Sequence, residues 1–163
     1  MPLTLEGSCR CGAVSYAVAS SAPYPYQLCY CSACRKSGGA GYAINLLADA
    51  ATLEVTGREH VAVYRAVIDT PPYNGAEGGC RRHFCRHCGS MLWIHDPEWP
   101  ELLHPFASSV DTPLPVPPAR VHLMLGSRAP WVEPDVRPGD QCFDRYPEQS
   151  IEDWHKARGL WID

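Results

Sequence analysis

Cys9-Arg10-Cys11-Gly12-Ala13-Val14-Ser15-Tyr16, near the start of the chain, and Cys85-Arg86-His87-Cys88-Gly89-Ser90-Met91-Leu92-Trp93, in its middle, share one design. Each is a close pair of cysteines, then glycine, then a strand-like run that ends in an aromatic residue. A tight turn of this kind aims backbone amides at the sulfurs and places glycine where φ must be positive. Two such knuckles supply a set of four thiols for one tetrahedral ion such as zinc. A shared site would tie the N-terminus to the middle of the chain, and metal binding of this sort contributes on the order of 10 kcal/mol to folding.

A third group is Cys29-Tyr30-Cys31-Ser32-Ala33-Cys34. In an extended chain Cys29 and Cys31 project from the same face, and a following turn returns Cys34 to the same point. Three converging thiols leave a fourth position open. Four cysteines saturate zinc and are normally structural, whereas three protein ligands and an open position are the catalytic pattern. The spacing also allows both sites to be structural, with His83, His87, His95, His104 or His122 completing the second. His87, inside its knuckle, is expected to face solvent, and His95 and His122, in strand-like runs, to be hydrogen-bonded neutral imidazoles. Cys80 and Cys142 stand apart from the three groups and read as small, semi-buried residues.

The remainder of the chain fits this reading. Its 163 residues suit one domain. Sixteen prolines are about double the usual ~5%, which disfavours long helices. With 14 basic and 18 acidic residues the net charge is −4, against a nucleic-acid partner, although Arg81-Arg82, Arg86 and Arg35-Lys36 offer a local basic patch. No apolar run approaches the ~18 residues of a membrane span. The N-terminus lacks a secretory pattern, so the expected location is the cytoplasm, where clustered cysteines bind metal rather than pair as disulfides.

Alternation and turn residues predict strands over Ala13–Val18, Tyr26–Cys31, Tyr42–Leu47, Thr52–Thr56 and Val61–Ile68. Further strands are predicted over Arg82–Cys85, Met91–His95, Leu102–Val110 and Arg120–Leu125. Thr70–Gly79 reads as a surface loop. One short helix is expected from Ser32 to Gly38-Gly39. A second is expected over Ser150–Arg158, capped by Ser150 with Asp153 three residues on, with Ile151, Trp154 and Ala157 forming an apolar stripe. The class is mainly β and largely antiparallel.

Gly7-Ser8-Cys9-Arg10-Cys11-Gly12, Cys29-Tyr30-Cys31-Ser32-Ala33-Cys34-Arg35-Lys36-Ser37-Gly38 and Phe84-Cys85-Arg86-His87-Cys88-Gly89 resemble the motifs of the glutathione-dependent formaldehyde-activating enzyme family, which includes the centromere protein V type. Gly126–Trp131 resembles its closing segment, so the likeness spans residues 5–133. The resemblance implies an Mss4-like β-tent of antiparallel sheets around two zinc ions. Cys9, Cys11, Cys85 and Cys88 would hold a structural zinc, and Cys29, Cys31 and Cys34 a second, labile one. Residues 134–163 would be an extension whose helix packs on the same domain.

The activity so implied is a carbon–sulfur lyase or synthase joining glutathione, or a similar thiol, to formaldehyde or another small aldehyde. A free thiol is only a few per cent ionised at pH 7 and a coordinated one is a thiolate. Arg35 and Lys36 are the expected partners of glutathione's carboxylates. The competing reading is a non-enzymatic scaffold with both zincs saturated.

Overall fold

The computed structural model describes residues 1–68 and 75–163. In chain order the strands are β1 (Leu3–Ser8), β2 (Ser15–Ser20), β3 (Gln27–Cys29), β4 (Ala43–Ile44), β5 (Ala48–Asp49) and β6 (Glu54–Thr56). They continue as β7 (Val61–Ile68), β8 (Ala76–Cys85), β9 (Met91–His95), β10 (Leu102–Pro105), β11 (Val121–Leu123) and β12 (Gln141–Cys142). Two short α-helices, α1 (Ser32–Gly38) and α2 (Ile151–Ala157), complete the set. The strands form three sheets in the orders β1-β2-β6, β5-β10-β9-β8-β7 and β12-β11-β3-β4.

The first two sheets are antiparallel throughout. In the third, β11 runs parallel to both β3 and β12, and only β3 and β4 are antiparallel. Residue alternation reports the period of a strand but not the direction of its neighbour, so this ladder is invisible to the pattern. The mainly β class with two helices is otherwise as expected. Val14, Tyr16 and Val18 do share one buried face. The predicted strand over Leu102–Val110 stops at Pro105, and a 3-10 turn over Ala107–Ser109 follows.

Two further differences have local causes. β1, absent from the predicted set, pairs with β2 along six positions. Gly7 interrupts its side-chain alternation because the Tyr16 ring packs there, and a Cβ would lie 2.4 Å from Tyr16 Cζ. Of the predicted loop Thr70–Gly79, residues 70–74 lie outside the described residues, while Ala76–Gly79 form the start of β8, opposite the end of β7. Glycine supplies the same backbone donors and acceptors as any residue, so a side-chain-poor run can still pair.

The largest core cluster lies between the first two sheets and holds Leu5, Val14, Tyr16, Val18, Leu92 and Trp93. A smaller one joins Tyr26 and Val121 to Trp154 of α2, whose indole stacks on the Tyr26 ring at 3.6 Å between centroids. The Ser150 hydroxyl caps α2 by accepting from the Asp153 amide at 3.0 Å, as expected.

Behind β3 runs a buried polar chain. The Tyr30 hydroxyl lies 2.9 Å from His122 Nδ1, and His122 Nε2 lies 3.1 Å from Asp140. Asp140 also accepts from the backbone amides of Arg120 and Arg137 and from the Arg120 guanidinium. Burial opposes its charge, but the Arg137 and Arg120 amides, then His122 and the guanidinium, hold the carboxyl well below the usual carboxylate range. A depressed folded-state value means a contribution to stability that is complete above the ordinary value near ~4 and lost as pH falls through the folded one. Asp140→Asn is therefore expected to cost about 3 kcal/mol at neutral pH. In urea unfolding followed against pH, the gap between variant and parent should shrink steadily below about pH 4.

Candidate metal centre and active site

Each knuckle turns on a glycine with positive φ, 80° at Gly12 and 74° at Gly89. The Gly12 amide donates to the Cys9 carbonyl at 3.1 Å and the Gly89 amide to the Cys85 carbonyl at 2.8 Å, closing both turns. The Val14 amide points at the Cys9 sulfur from 3.3 Å. Cys9 and Cys11 sulfurs are 3.6 Å apart, Cys11 and Cys85 sulfurs 3.7 Å, and all four, with Cys88, lie within 4.8 Å of one another. Tetrahedral zinc with bonds near ~2.3 Å sets its sulfurs about 3.8 Å apart, so this donor set fits the ion in both chemistry and spacing. The exposed Cys88 thiol, beside the Ser90 hydroxyl at 3.2 Å and two backbone amides, is drawn down to about 5.

The second group converges as the spacing predicts. Cys29 ends β3, Cys31 is the extended residue before α1, and Cys34 lies in the first turn of that helix. Their sulfurs lie within 4.8 Å of one another, and among the described residues no histidine or carboxylate joins them. The Cys34 amide donates to the Cys31 sulfur at 3.3 Å. Two side chains aim at the buried Cys34 sulfur, the Arg82 guanidinium from 3.5 Å and the Asn45 amide from 3.6 Å. Hydrogen bonds from Cys29 and Cys31, with Arg82 beyond them, hold the Cys34 thiol well below its ordinary range.

The two clusters differ in what they face. The triad lines a cavity of about 260 Å³ whose walls include Arg82, Ile94, His104, Leu123 and Tyr146. A larger polar cleft of about 540 Å³ runs beside Cys9 and Cys88. A four-sulfur set leaves no free position on a tetrahedral ion, so the smaller cavity is the one where a ligand can meet a metal.

The histidines separate cleanly. His87 turns away from its cluster, its Nε2 2.9 Å from Nδ1 of His60. His95 lies 3.2 Å from the Pro100 carbonyl, His122 belongs to the Tyr30–Asp140 chain, and His83 stacks on Trp93. Among the described residues only His104 reaches the triad cavity, with Nδ1 3.0 Å from the Leu46 carbonyl. Cys80 also lines it; burial, then Asp96 at 3.3 Å, pushes this thiol up to about 11, so it is a neutral thiol at working pH. Cys142 is exposed on β12.

Arg35 and Lys36 occupy the last turn of α1 and do not line the cavity. The cation that does is Arg82, which the sequence offers only as half of a basic pair. It is buried beside the triad and takes no part in an exposed basic patch. The alternation of β8 carries the signal that finds it: Cys80, Arg82 and Phe84 recur at every second position on the triad's side. Asn45, His104 and Tyr146 carry no such signal, because they come from separate segments that only the folded chain brings together.

The sequence model of a family described as "Glutathione-dependent formaldehyde-activating enzyme" matches residues 4–125. The chain belongs to this family. All seven clustered cysteines fall within the matched span, which ends just before Gly126–Trp131. A Halomonas elongata protein, "Putative glutathione-dependent formaldehyde-activating enzyme", is 55% identical over 159 residues, covering 97% of this chain and 98% of its own. The likeness to this family member therefore extends through the C-terminal segment. A crystal structure of a Rhodobacter sphaeroides protein superposes with a TM-score of 0.50 at 27% identity, covering 68% of this chain and 91% of that one.

The separation of the two clusters sets an expected outcome. Cys31→Ser should lower metal content from two equivalents to one with the circular dichroism spectrum intact. Cys11→Ser should remove the other equivalent and lower the melting temperature. Loss of both equivalents from Cys31→Ser would contradict independent sites.

Proposed function

We propose that the protein is a zinc-dependent carbon–sulfur lyase or synthase that joins glutathione, or a similar thiol, to formaldehyde or another small aldehyde. One observation carries the reading: three cysteine sulfurs converge at a cavity wall with no fourth protein ligand among the described residues, while the other cluster has four. Cys9, Cys11, Cys85 and Cys88 hold a structural zinc in this reading, and Cys29, Cys31 and Cys34 hold the catalytic one. Zinc at the triad supplies ionisation of a substrate thiol at neutral pH.

The chain's own residues do the rest. Ile94 and Leu123 give the cavity apolar walls that limit water beside the sulfur. Ionisation alone yields roughly 30-fold in nucleophile concentration, part of it lost to lower intrinsic reactivity. Holding the aldehyde next to the thiolate must therefore contribute more. His104 has Nδ1 engaged with Leu46, which leaves Nε2 to exchange a proton, and burial keeps the imidazole neutral for that purpose. Arg35 and Lys36, outside the cavity, serve the distal carboxylates of glutathione. The domain proper spans residues 1–133, and the 134–163 extension contributes Tyr146 to the cavity wall. Nine cysteines outside any disulfide, seven of them gathered for metal, suit the reducing cytoplasm.

Zinc K-edge absorption tests the reading directly. Two occupied sites average about 3.5 sulfurs per zinc, rising towards about 4 when glutathione takes the open position. Four sulfurs from the outset would favour the saturated scaffold instead, and no response to glutathione would remove it as the ligand. Arg35→Ala should raise the glutathione dissociation constant by about 3- to 10-fold, as for one exposed charge-assisted contact; calorimetry showing no change would take Arg35 out of substrate binding.

A further inference from the structure

We propose that Arg82 is the anion-binding residue of the triad cavity. It meets the negative charge that a thiol substrate brings there and, during condensation, the charge that moves onto the aldehyde oxygen. The substrate class rests on the thiol–aldehyde reading above; the anion site itself rests on Arg82 and its surroundings.

Arg82 is only 8% exposed, and a guanidinium stays charged at every working pH. Burying such a charge without a partner is costly. Among the described residues no ion pair with a carboxylate includes it. The contrast is Arg120, which the fold neutralises with Asp140 at 3.0 Å. Arg82 instead places one terminal nitrogen 3.5 Å from the Cys34 sulfur, and its Nε has no partner. A buried cation in a cavity wall, with one nitrogen on the Cys34 sulfur and its Nε–H spare, is a receptor for an anion.

The charge count agrees. Three thiolates around a divalent ion leave one negative charge, which Arg82 balances. A fourth thiolate would add a second, so the one guanidinium offsets half of the total and meets the newcomer through its unpartnered N–H. In the reaction the substrate sulfur pair forms the S–C bond and the carbonyl π pair moves to oxygen. That oxygen takes back from His104 Nε2 the proton that the thiol gave up there on ionisation. Thiol plus aldehyde thus gives the hydroxymethyl thioether with no other reagent, and the lyase direction is its reverse. The planar fork of a guanidinium can face the sulfur with one N–H and the oxygen beside it with another. The Asn45 amide also touches Cys34 but carries no charge to offset the second anion.

The test compares zinc-loaded parent, Arg82→Gln and Arg82→Lys. The first readout is calorimetric binding of thiocyanate, a monoanion with a sulfur donor. The second is the enzyme-catalysed exchange of glutathione, and separately of 2-mercaptoethanol, with formaldehyde, followed by NMR. Expected are two zincs in all three proteins and at least about 10-fold weaker thiocyanate binding in Arg82→Gln, with Arg82→Lys within a few-fold of the parent. The exchange kcat/KM should fall about 100-fold in Arg82→Gln for both thiols, about 10-fold of it as a raised KM that follows the loss of thiocyanate affinity and the rest in kcat. Unchanged thiocyanate affinity in a zinc-replete Arg82→Gln overturns the proposal. So does an effect confined to glutathione, which would make Arg82 a carboxylate anchor. Should Arg82→Gln lose zinc, Arg82→Lys decides, and loss of zinc there too would make the residue a structural prop. A parent that binds thiocyanate through Arg82 but accelerates no exchange would sink the thiol–aldehyde reading and leave the anion site standing.

Discussion

Repulsion between sulfur atoms governs this molecule. Four cysteine sulfurs lie within 4.8 Å of one another in one place and three in another. Ionised together, each neighbouring pair at 3.7 Å would repel by about 4 kcal/mol even at an effective dielectric near ~20. Such groups persist either as thiols or around a cation that reverses the sign of the interaction. The surrounding fold is arranged for the second case. Backbone amides of Val14 and Cys34 point at sulfurs, glycine turns bring cysteine pairs together, and one buried guanidinium stands beside the triad.

Much of this was legible from residue types and spacing, because a metal knuckle is a local object. Cys9-x-Cys11-Gly12 and Cys85-x-x-Cys88-Gly89 encode a turn within a few residues, and the glycine conformation follows from that turn alone. Strands such as Val61–Ile68 and Met91–His95, and the Ser150 cap of α2, are equally local. What the pattern did not reveal is non-local. The parallel ladder depends on which strands meet, the Tyr30–His122 hydrogen bond alone spans 92 positions, and the cavity walls come from seven separated segments. Choosing Arg82 over Arg35 as the cation in the cavity needed the face of β8, which alternation supplies only once that strand is known to flank the triad.

The two clusters also differ in what surrounds them. The four-cysteine group sits at the ends of antiparallel hairpins, half of it exposed, and braces two sheets. The triad sits where β3 gives way to α1, with aromatic and hydrogen-bonded side chains behind it. Tyr30, between two of its cysteines, is anchored through His122 to Asp140, so the strand that presents the sulfurs is held from its rear while its front stays open. Rigidity behind and access ahead are what a site for a small reacting molecule requires.

The parallel pairing of β3 with β11 has a consequence for how the chain comes to order. Antiparallel β1–β2 and β8–β9 can form as soon as neighbouring residues leave the ribosome. β3 must wait for β11, and the anchor of Tyr30 must wait for Asp140, because parallel partners distant in sequence pay their loop-closure entropy late. A nascent chain therefore holds Cys9, Cys11, Cys85 and Cys88 in place well before Cys29, Cys31 and Cys34 are seated. The triad cavity is the last part to mature, because its walls wait for Leu123, Tyr146 and Ile151, and until these arrive the three sulfurs stand without their enclosure.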